Sequence, residues 1–362
     1  MLPRPAPKPP FAIAMSDAAH NARTPDDDVL DLSRRGAHRL CVAPLMDWTD
    51  RHFRRLLRGI GPELVLYTEM ITARAIVHGD AEGLLAFDPD EHPVALQLGG
   101  NEPDVLAAAA RAGADAGYRE INLNVGCPSE RVAAGAFGAA LMAHPQLVAD
   151  CVAAMRDAVE VPVTVKCRLG IREGDDARFA TAQWFDGFVD TVADAGCRLF
   201  IVHARDAVLG GLTPRQNREI PPLRPEEVVS LARRRSDLEI VTNGGITTAE
   251  DAVARCAEVD GVMVGRAAIE RTLALSEMRC ALFEDAAPVT AEALVLRWLP
   301  YVREELAAGV PLSRFTRLLS GVLHGRPGAR RARRRLAEGA RSADAALIER
   351  ALADLGPEAA AA

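Results

Sequence analysis

No two of the seven cysteines (Cys41, Cys127, Cys151, Cys167, Cys197, Cys256 and Cys280) stand at C-x-x-C spacing, and the N-terminus does not read as a secretory leader. A disulfide framework and a structural zinc site are therefore not indicated, and a reduced cytoplasmic protein is expected. Clusters of metal-ligating residues are absent as well, so no metal is expected. No apolar run approaches the roughly 18 residues that a bilayer span requires, so no membrane association is expected. No G-x-G-x-x-G opens a helix after a strand-like run, which argues against a dinucleotide resident on a Rossmann unit.

What is present is ordinary in bulk and uneven in detail. The 362 residues are 49% hydrophobic and 26% charged, enough for one large domain with a smaller appendage. The formal net charge is −7, but residues 310–341 hold nine arginines against one acid, Glu338. That window is +8, and −7 − 8 leaves −15 for the remainder. An acidic chain thus carries one strongly basic element.

Residues 1–37 contain six prolines and little apolar periodicity, and read as a disordered extension. Strand-like runs then recur at 39–43 (RLCVA), 63–68 (ELVLYT), 94–98 (VALQL), 119–124 (REINLN), 161–166 (VPVTVK), 198–202 (RLFIV), 238–242 (LEIVT) and 260–264 (DGVMV). Helical patterns separate them. Eight such units predict a (β/α)8 barrel over 38–280, with a doubly wound open sheet as the alternative. From 288 to 355 the pattern is helical throughout, predicting a small all-helical domain.

Barrel enzymes place their chemistry where strands end, so the residues just after each run are informative. They include Pro44 to Asp47, Gln97, Asn124 to Cys127, Lys166, His203, Asn243 to Gly245, and Gly265 with Arg266. Singly, each has a bland reading as a strand cap, a salt bridge or a core histidine. Together they converge on one rim. The NGG and GR that follow runs seven and eight suit a phosphate held by backbone N–H groups with an arginine nearby. With the amides of Gln97 and Asn124 and the charge of Lys166 opposite, the set suggests flavin mononucleotide (FMN) across the barrel mouth, with His203 bonding flavin or substrate. Cys127 lies on the loop above that site, and Pro128 restricts its backbone. A thiol of ordinary pKa, about 8.5, is mostly protonated at neutral pH and can serve as an acid. The plain alternative is a small buried hydrophobe like the other six cysteines.

The ordered motifs APLMDWTDRHFR, LYTEM, HPVALQLGG, EINLNVGCPS, VPVTVKCRLGI, FIVHAR, NREIPPL, NGGI and DGVMVGR make the chain similar to the tRNA-dihydrouridine synthases, most closely the bacterial DusA subfamily, from about His38 to about residue 340. The resemblance implies a flavin barrel with a C-terminal helical domain that reduces a D-loop uridine of tRNA, positions 20 and 20a, using NADPH through FMN. It implies that Pro44, Leu45, Met46, Gln97, Lys166, His203, Asn243, Gly244, Gly245, Gly265 and Arg266 bind FMN. Cys127 would donate the proton, and Asn124 would contact the flipped uridine. Arg215, Arg218, Arg330 and Arg333 would contact tRNA. Without a Rossmann unit, NADPH and tRNA would use the same rim in turn, and a monomer is expected. Asp206 and Val208 depart from the pattern, standing where a lysine and an aromatic are expected, and REGDDARF has no clear counterpart. An FMN barrel acting on a free pyrimidine, and a tRNA-binding factor with a decayed flavin site, are the competing readings. The arginine-rich tail argues against the first and the intact rim against the second.

Overall fold

The computed structural model describes residues 30–129, 132, 135–174, 176–341 and 344–356. Eight parallel strands close a barrel among these residues: β1 Leu40–Val42, β2 Val65–Tyr67, β3 Val94–Gly99, β4 Glu120–Val125, β5 Val163–Arg168, β6 Leu199–His203, β7 Glu239–Asn243 and β8 Gly261–Val264. Each pairs in parallel with the next, and β8 returns to β1 with Leu40 opposite Val262. All eight sequence-predicted runs are present. Most of the paired strands reach one or more residues beyond the predicted ends.

Alternation along the strands separates two environments. Val94, Leu96 and Leu98 of β3 and Ile121, Leu123 and Val125 of β4 face the surrounding helices. Residues of the other parity face the lumen, where Cys41, Val65, Tyr67, Ala95, Ile201, Val241 and Met263 pack together. The β3 to β5 side of the lumen is polar instead, with Gln97, Glu120, Asn122, Asn124 and Thr164 all buried.

The helices begin where the sequence supplies caps. Asp50 accepts from Phe53 N at the start of α1 (Arg51–Arg58), Thr181 accepts from Trp184 N before the helix Ala182–Asp194, and Thr248 with Asp251 forms a capping box before Ala249–Cys256. Proline opens the helices Pro103–Asp115, Pro145–Ala158 and Pro225–Arg234, where its missing N–H costs nothing.

Three short strands were not anticipated from sequence. Ile71–Thr72 extends the sheet beside β3, and Ile171–Glu173 pairs in parallel with Ala207–Leu209 above the barrel. The last pair joins the REGDDARF loop to the HARDAVLGGL loop. Asp206 between them is fully buried, held by Arg172 Nε at 2.8 Å and Arg224 Nη2 at 2.5 Å. The Asp206 carboxylate is thus the buried centre of a three-residue ion cluster.

After the barrel come the helices Ala291–Ala307, Ser313–Thr316, Leu319–Val322, Ala329–Gly339 and Ala346–Leu352. Trp298, Phe315, Leu319 and Leu336 share one apolar core with Leu40, Phe53 and Val264, so the helical region is seated directly on the barrel wall. Of the proline-rich extension, residues 30–37 are described. They form turns with Leu32 and Ala37 buried against the lumen core, and the rest of the extension lies outside the described residues.

Just beyond them His38 is buried at the barrel floor, with Nε2 2.6 Å from Glu120 and Nδ1 3.4 Å from Glu239. Burial alone would push the imidazolium down, but the two carboxylates outweigh it and its pKa is raised to about 9. A raised value contributes stability that is complete below the unfolded pKa of about 6.5 and is lost as pH climbs to about 9. Urea denaturation should therefore show a loss on the order of 3 kcal/mol across that window, by the usual linkage. His38→Gln should be less stable at pH 6 and should lack that decline. An unchanged slope in the variant would assign the decline to other groups.

Candidate active site

At the C-terminal ends of the strands lies a cavity of about 910 Å3, and the rim residues singled out from sequence converge on it. Pro44, Leu45, Met46, Gln97, Lys166, His203, Asn243, Gly244, Gly245, Gly265 and Arg266 all line it, together with Asn124, Cys127 and Arg218. Arg215 is exposed beside it, 3.4 Å from Glu219. Arg330 and Arg333 are not in the cavity; they lie exposed on the helix Ala329–Gly339.

Each side chain is placed by its strand. Asn124 is the penultimate residue of β4, and its Oδ1 accepts from Gly126 N at 3.1 Å and Cys127 N at 2.9 Å, folding the chain into a tight turn that lifts Cys127 over the lumen. Cys127 O accepts from Ala139 N, and its Sγ lies 3.6 Å from Ser129 Oγ. The thiol is half-buried. Elsewhere, burial pushes the Cys151, Cys167 and Cys197 thiols up to about 12, so they remain protonated.

Lys166 projects from β5 into the lumen and is the one lysine among the described residues. Its Nζ donates to Asn243 Oδ1 at 3.3 Å, while Asn243 Nδ2 donates to Met263 O at 2.7 Å. Burial, reinforced by Arg168, pushes the Lys166 ammonium down to about 8. His203, at the end of β6, is held well below its usual value by burial and by the cations Arg168, Lys166, Arg205 and Arg218. It is a neutral imidazole at physiological pH.

The NGG loop turns through left-handed backbone. Gly244 and Gly245 take φ of 109° and 75°, and a Cβ on Gly244 would stand 2.8 Å from His203 Cδ2. A Cβ at Gly265 meets no atom within 4 Å. Arg266 lies across the loop, with Nη1 2.9 Å from Glu219. Opposite, the Pro44 to Asp47 loop is fixed by Leu45 N donating to Thr49 Oγ1 and by Arg317 from the helical region, which donates to Asp47 O at 2.5 Å. Met46 is left 56% exposed, an uncovered apolar side chain at the edge of the cavity.

One residue at the cavity was missed from sequence. Arg168 is buried, and its guanidinium clamps three backbone carbonyls, Gly126 O at 2.9 Å and Asp206 O and Asn217 O at 3.0 Å each. It thus ties the Cys127 loop to the Asp206 loop. The signal was present as a period of two, Thr164, Lys166, Arg168, which runs past the predicted strand end at residue 166.

A closed parallel barrel with a half-buried thiol, a lone lysine, paired amides and glycine-arginine loops at the mouth has the form of a (β/α)8-barrel enzyme. Family comparison makes this specific: the chain belongs to the dihydrouridine synthase family, whose model matches residues 41–355. It is 52% identical over 322 residues to the tRNA-dihydrouridine(20/20a) synthase of Xylella fastidiosa (strain 9a5c), covering 88% of this chain and 92% of that one. With the tRNA-dihydrouridine(20/20a) synthase of Yersinia pestis it shares 45% identity over 342 residues, 93% of this chain and 97% of the other. Among solved structures, inosine 5'-monophosphate dehydrogenase from Legionella pneumophila superposes with a TM-score of 0.40 at 17% identity, over 62% of this chain and 57% of that one.

Proposed function

We propose that the chain is a tRNA-dihydrouridine synthase that reduces D-loop uridines at positions 20 and 20a, with FMN as bound cofactor and NADPH as transient reductant. The observation that carries this reading is the convergence of the expected flavin set, Asn124 and Cys127 on one cavity at the barrel mouth. The cavity suits a flavin: exposed Met46 and the neighbouring Leu45 offer an apolar surface to a ring system. Gly244, Gly245, Gly265 and Arg266 offer backbone N–H groups and a cation to a phosphate. Bound FMN would supply a hydride to carbon 6 of the uracil.

The chain's own residues do the rest. The uridine must leave its stack to enter the cavity, which costs least in a loop. Asn124 bonds the base edge, and the Lys166 cation stabilises negative charge where it develops. Hydride addition at carbon 6 leaves the electron pair on the carbon 5 to carbonyl unit, and the Cys127 Sγ–H delivers the balancing proton to carbon 5 from the opposite face. His203, being neutral, offers a single N–H without adding charge.

The purified protein should be yellow and should retain one FMN per chain after desalting. Lys166→Ala should weaken that retention. In the wild type, affinity should fall as pH rises through about 8 and the ammonium is lost. A colourless protein that FMN cannot reconstitute would contradict the flavin reading. A Lys166→Ala variant with unchanged flavin affinity and reduction rate would remove that residue's role alone.

A further inference from the structure

The polar side of the barrel lumen is a continuous chain of hydrogen bonds with a single direction. Backbone N–H groups of Gly126 and Cys127 donate to Asn124 Oδ1, Asn124 Nδ2 donates to Gln97 Oε1 at 2.8 Å, and Gln97 Nε2 donates to Asn122 Oδ1 at 2.8 Å. Asn122 Nδ2 then donates to Thr164 Oγ1 at 2.8 Å, and Thr164 Oγ1 donates to Glu120 Oε1 at 2.6 Å. The five side chains are between 0% and 8% exposed. Every donor points away from the mouth towards the floor.

An amide turned over keeps its shape, so a chain of three amides has two possible directions. The ends decide. A backbone N–H can only donate, and a carboxylate ion-paired with a buried histidine can only accept. Because Glu120 is held by His38 at 2.6 Å, the bottom acceptor is fixed in place. Once direction is set, Gln97 and Asn124 each have one N–H left over, and their carbonyl oxygens are already engaged.

We propose that Glu120 is a positioning residue that acts through Thr164 and Asn122 to turn the Gln97 and Asn124 amides, so that both present N–H groups to the cavity and select a ligand edge built of carbonyl oxygens. The direction of the chain stands on geometry alone, whereas the identity of the ligand as flavin or uracil rests on the function proposed above. The same two amides turned over would present acceptors and favour an edge bearing ring or amino N–H groups. A cavity specific for an acceptor edge therefore depends on both ends of the chain, the Gly126 and Cys127 N–H groups at the mouth and the Glu120 carboxylate at the floor.

Tyr67 provides the control. Its hydroxyl donates to the same Glu120 oxygen at 2.8 Å and is equally buried, but it forms no link towards Gln97. Thr164→Val breaks the chain at nearly constant shape, Thr164→Ser retains the hydroxyl, and Tyr67→Phe removes a bond to the carboxylate without breaking the chain. In the flavin-free protein, the side-chain amide NMR signals of Gln97 and Asn124 should shift in Thr164→Val and stay in place in Thr164→Ser and Tyr67→Phe. The FMN dissociation constant should rise about tenfold in Thr164→Val only, as for the loss of one directed hydrogen bond. Should Thr164→Val not fold, Asn122→Leu breaks the chain one link nearer the mouth and is judged by the same comparison. Equal amide shifts in Thr164→Val and Tyr67→Phe, or none in either, would overturn the proposal. Amide shifts as expected in a protein that never takes up FMN would uphold the positioning role and reject the flavin reading instead.

Discussion

Replacing Cys127 by alanine should leave NADPH-driven flavin reduction intact and lower dihydrouridine formation by about 10²- to 10⁴-fold, the range for loss of a positioned acid. The two half-reactions separate because only the second needs a proton at uracil carbon 5. Cys127 stands above the lumen on a turn held by Asn124 Oδ1 and by the Arg168 clamp, and neither restraint depends on the thiol. The alanine variant should therefore fold and bind flavin as the wild type does. Stopped-flow measurement of flavin reduction, followed by reoxidation with tRNA, reads the halves in turn. A fall in the first half-reaction, or full turnover in the second, would mean that another group is the acid.

The second large effect is expected at the helical region. Of the nine arginines in 310–341, several are committed to the fold: Arg317 pairs with Asp50, Arg326 with Glu292, and Arg331 and Arg335 with Asp354. Acids outside the window thus neutralise part of its charge. Arg330 and Arg333 are both exposed on the helix Ala329–Gly339; Arg330 points away from the buried Ala332 and Leu336, while Arg333 flanks the buried face and donates through Nη2 to Leu323 O at 3.3 Å. Changing both to alanine should weaken tRNA binding by about 10- to 100-fold at moderate salt, as for two charge-assisted contacts, and flatten the salt slope by roughly one to two units. Flavin reduction by NADPH should not change. Arg331→Ala with Arg335→Ala should instead lower stability, because those side chains hold Asp354. Parallel salt slopes in wild type and the Arg330/Arg333 variant would reduce the exposed pair to a solvated face.

Sequence showed the barrel because eight apolar runs alternate with helical periods, and it showed the rim because polar residues follow each run. It hid what happens inside the lumen. The run EINLNV reads equally as a strand with one wet face, yet Glu120, Asn122 and Asn124 all turn into a closed interior. Their cost is met by one another's hydrogen bonds, which only the closed barrel brings together. Asp206 could not be read from sequence as the centre of an ion cluster, because Arg172 and Arg224 lie 34 and 18 residues away. The basic window overstated the charge available to tRNA for the same reason, as its partner acids are distant in sequence.

The central claim is that this cavity reduces a uridine in tRNA. Unmodified tRNA transcript incubated with the holoenzyme and NADPH, digested and analysed by mass spectrometry, tests it directly. The account predicts a D-loop fragment heavier by two hydrogens for each of positions 20 and 20a, and none from the Cys127→Ala enzyme on the same timescale. Oxidation of NADPH with every tRNA fragment unchanged in mass would contradict it.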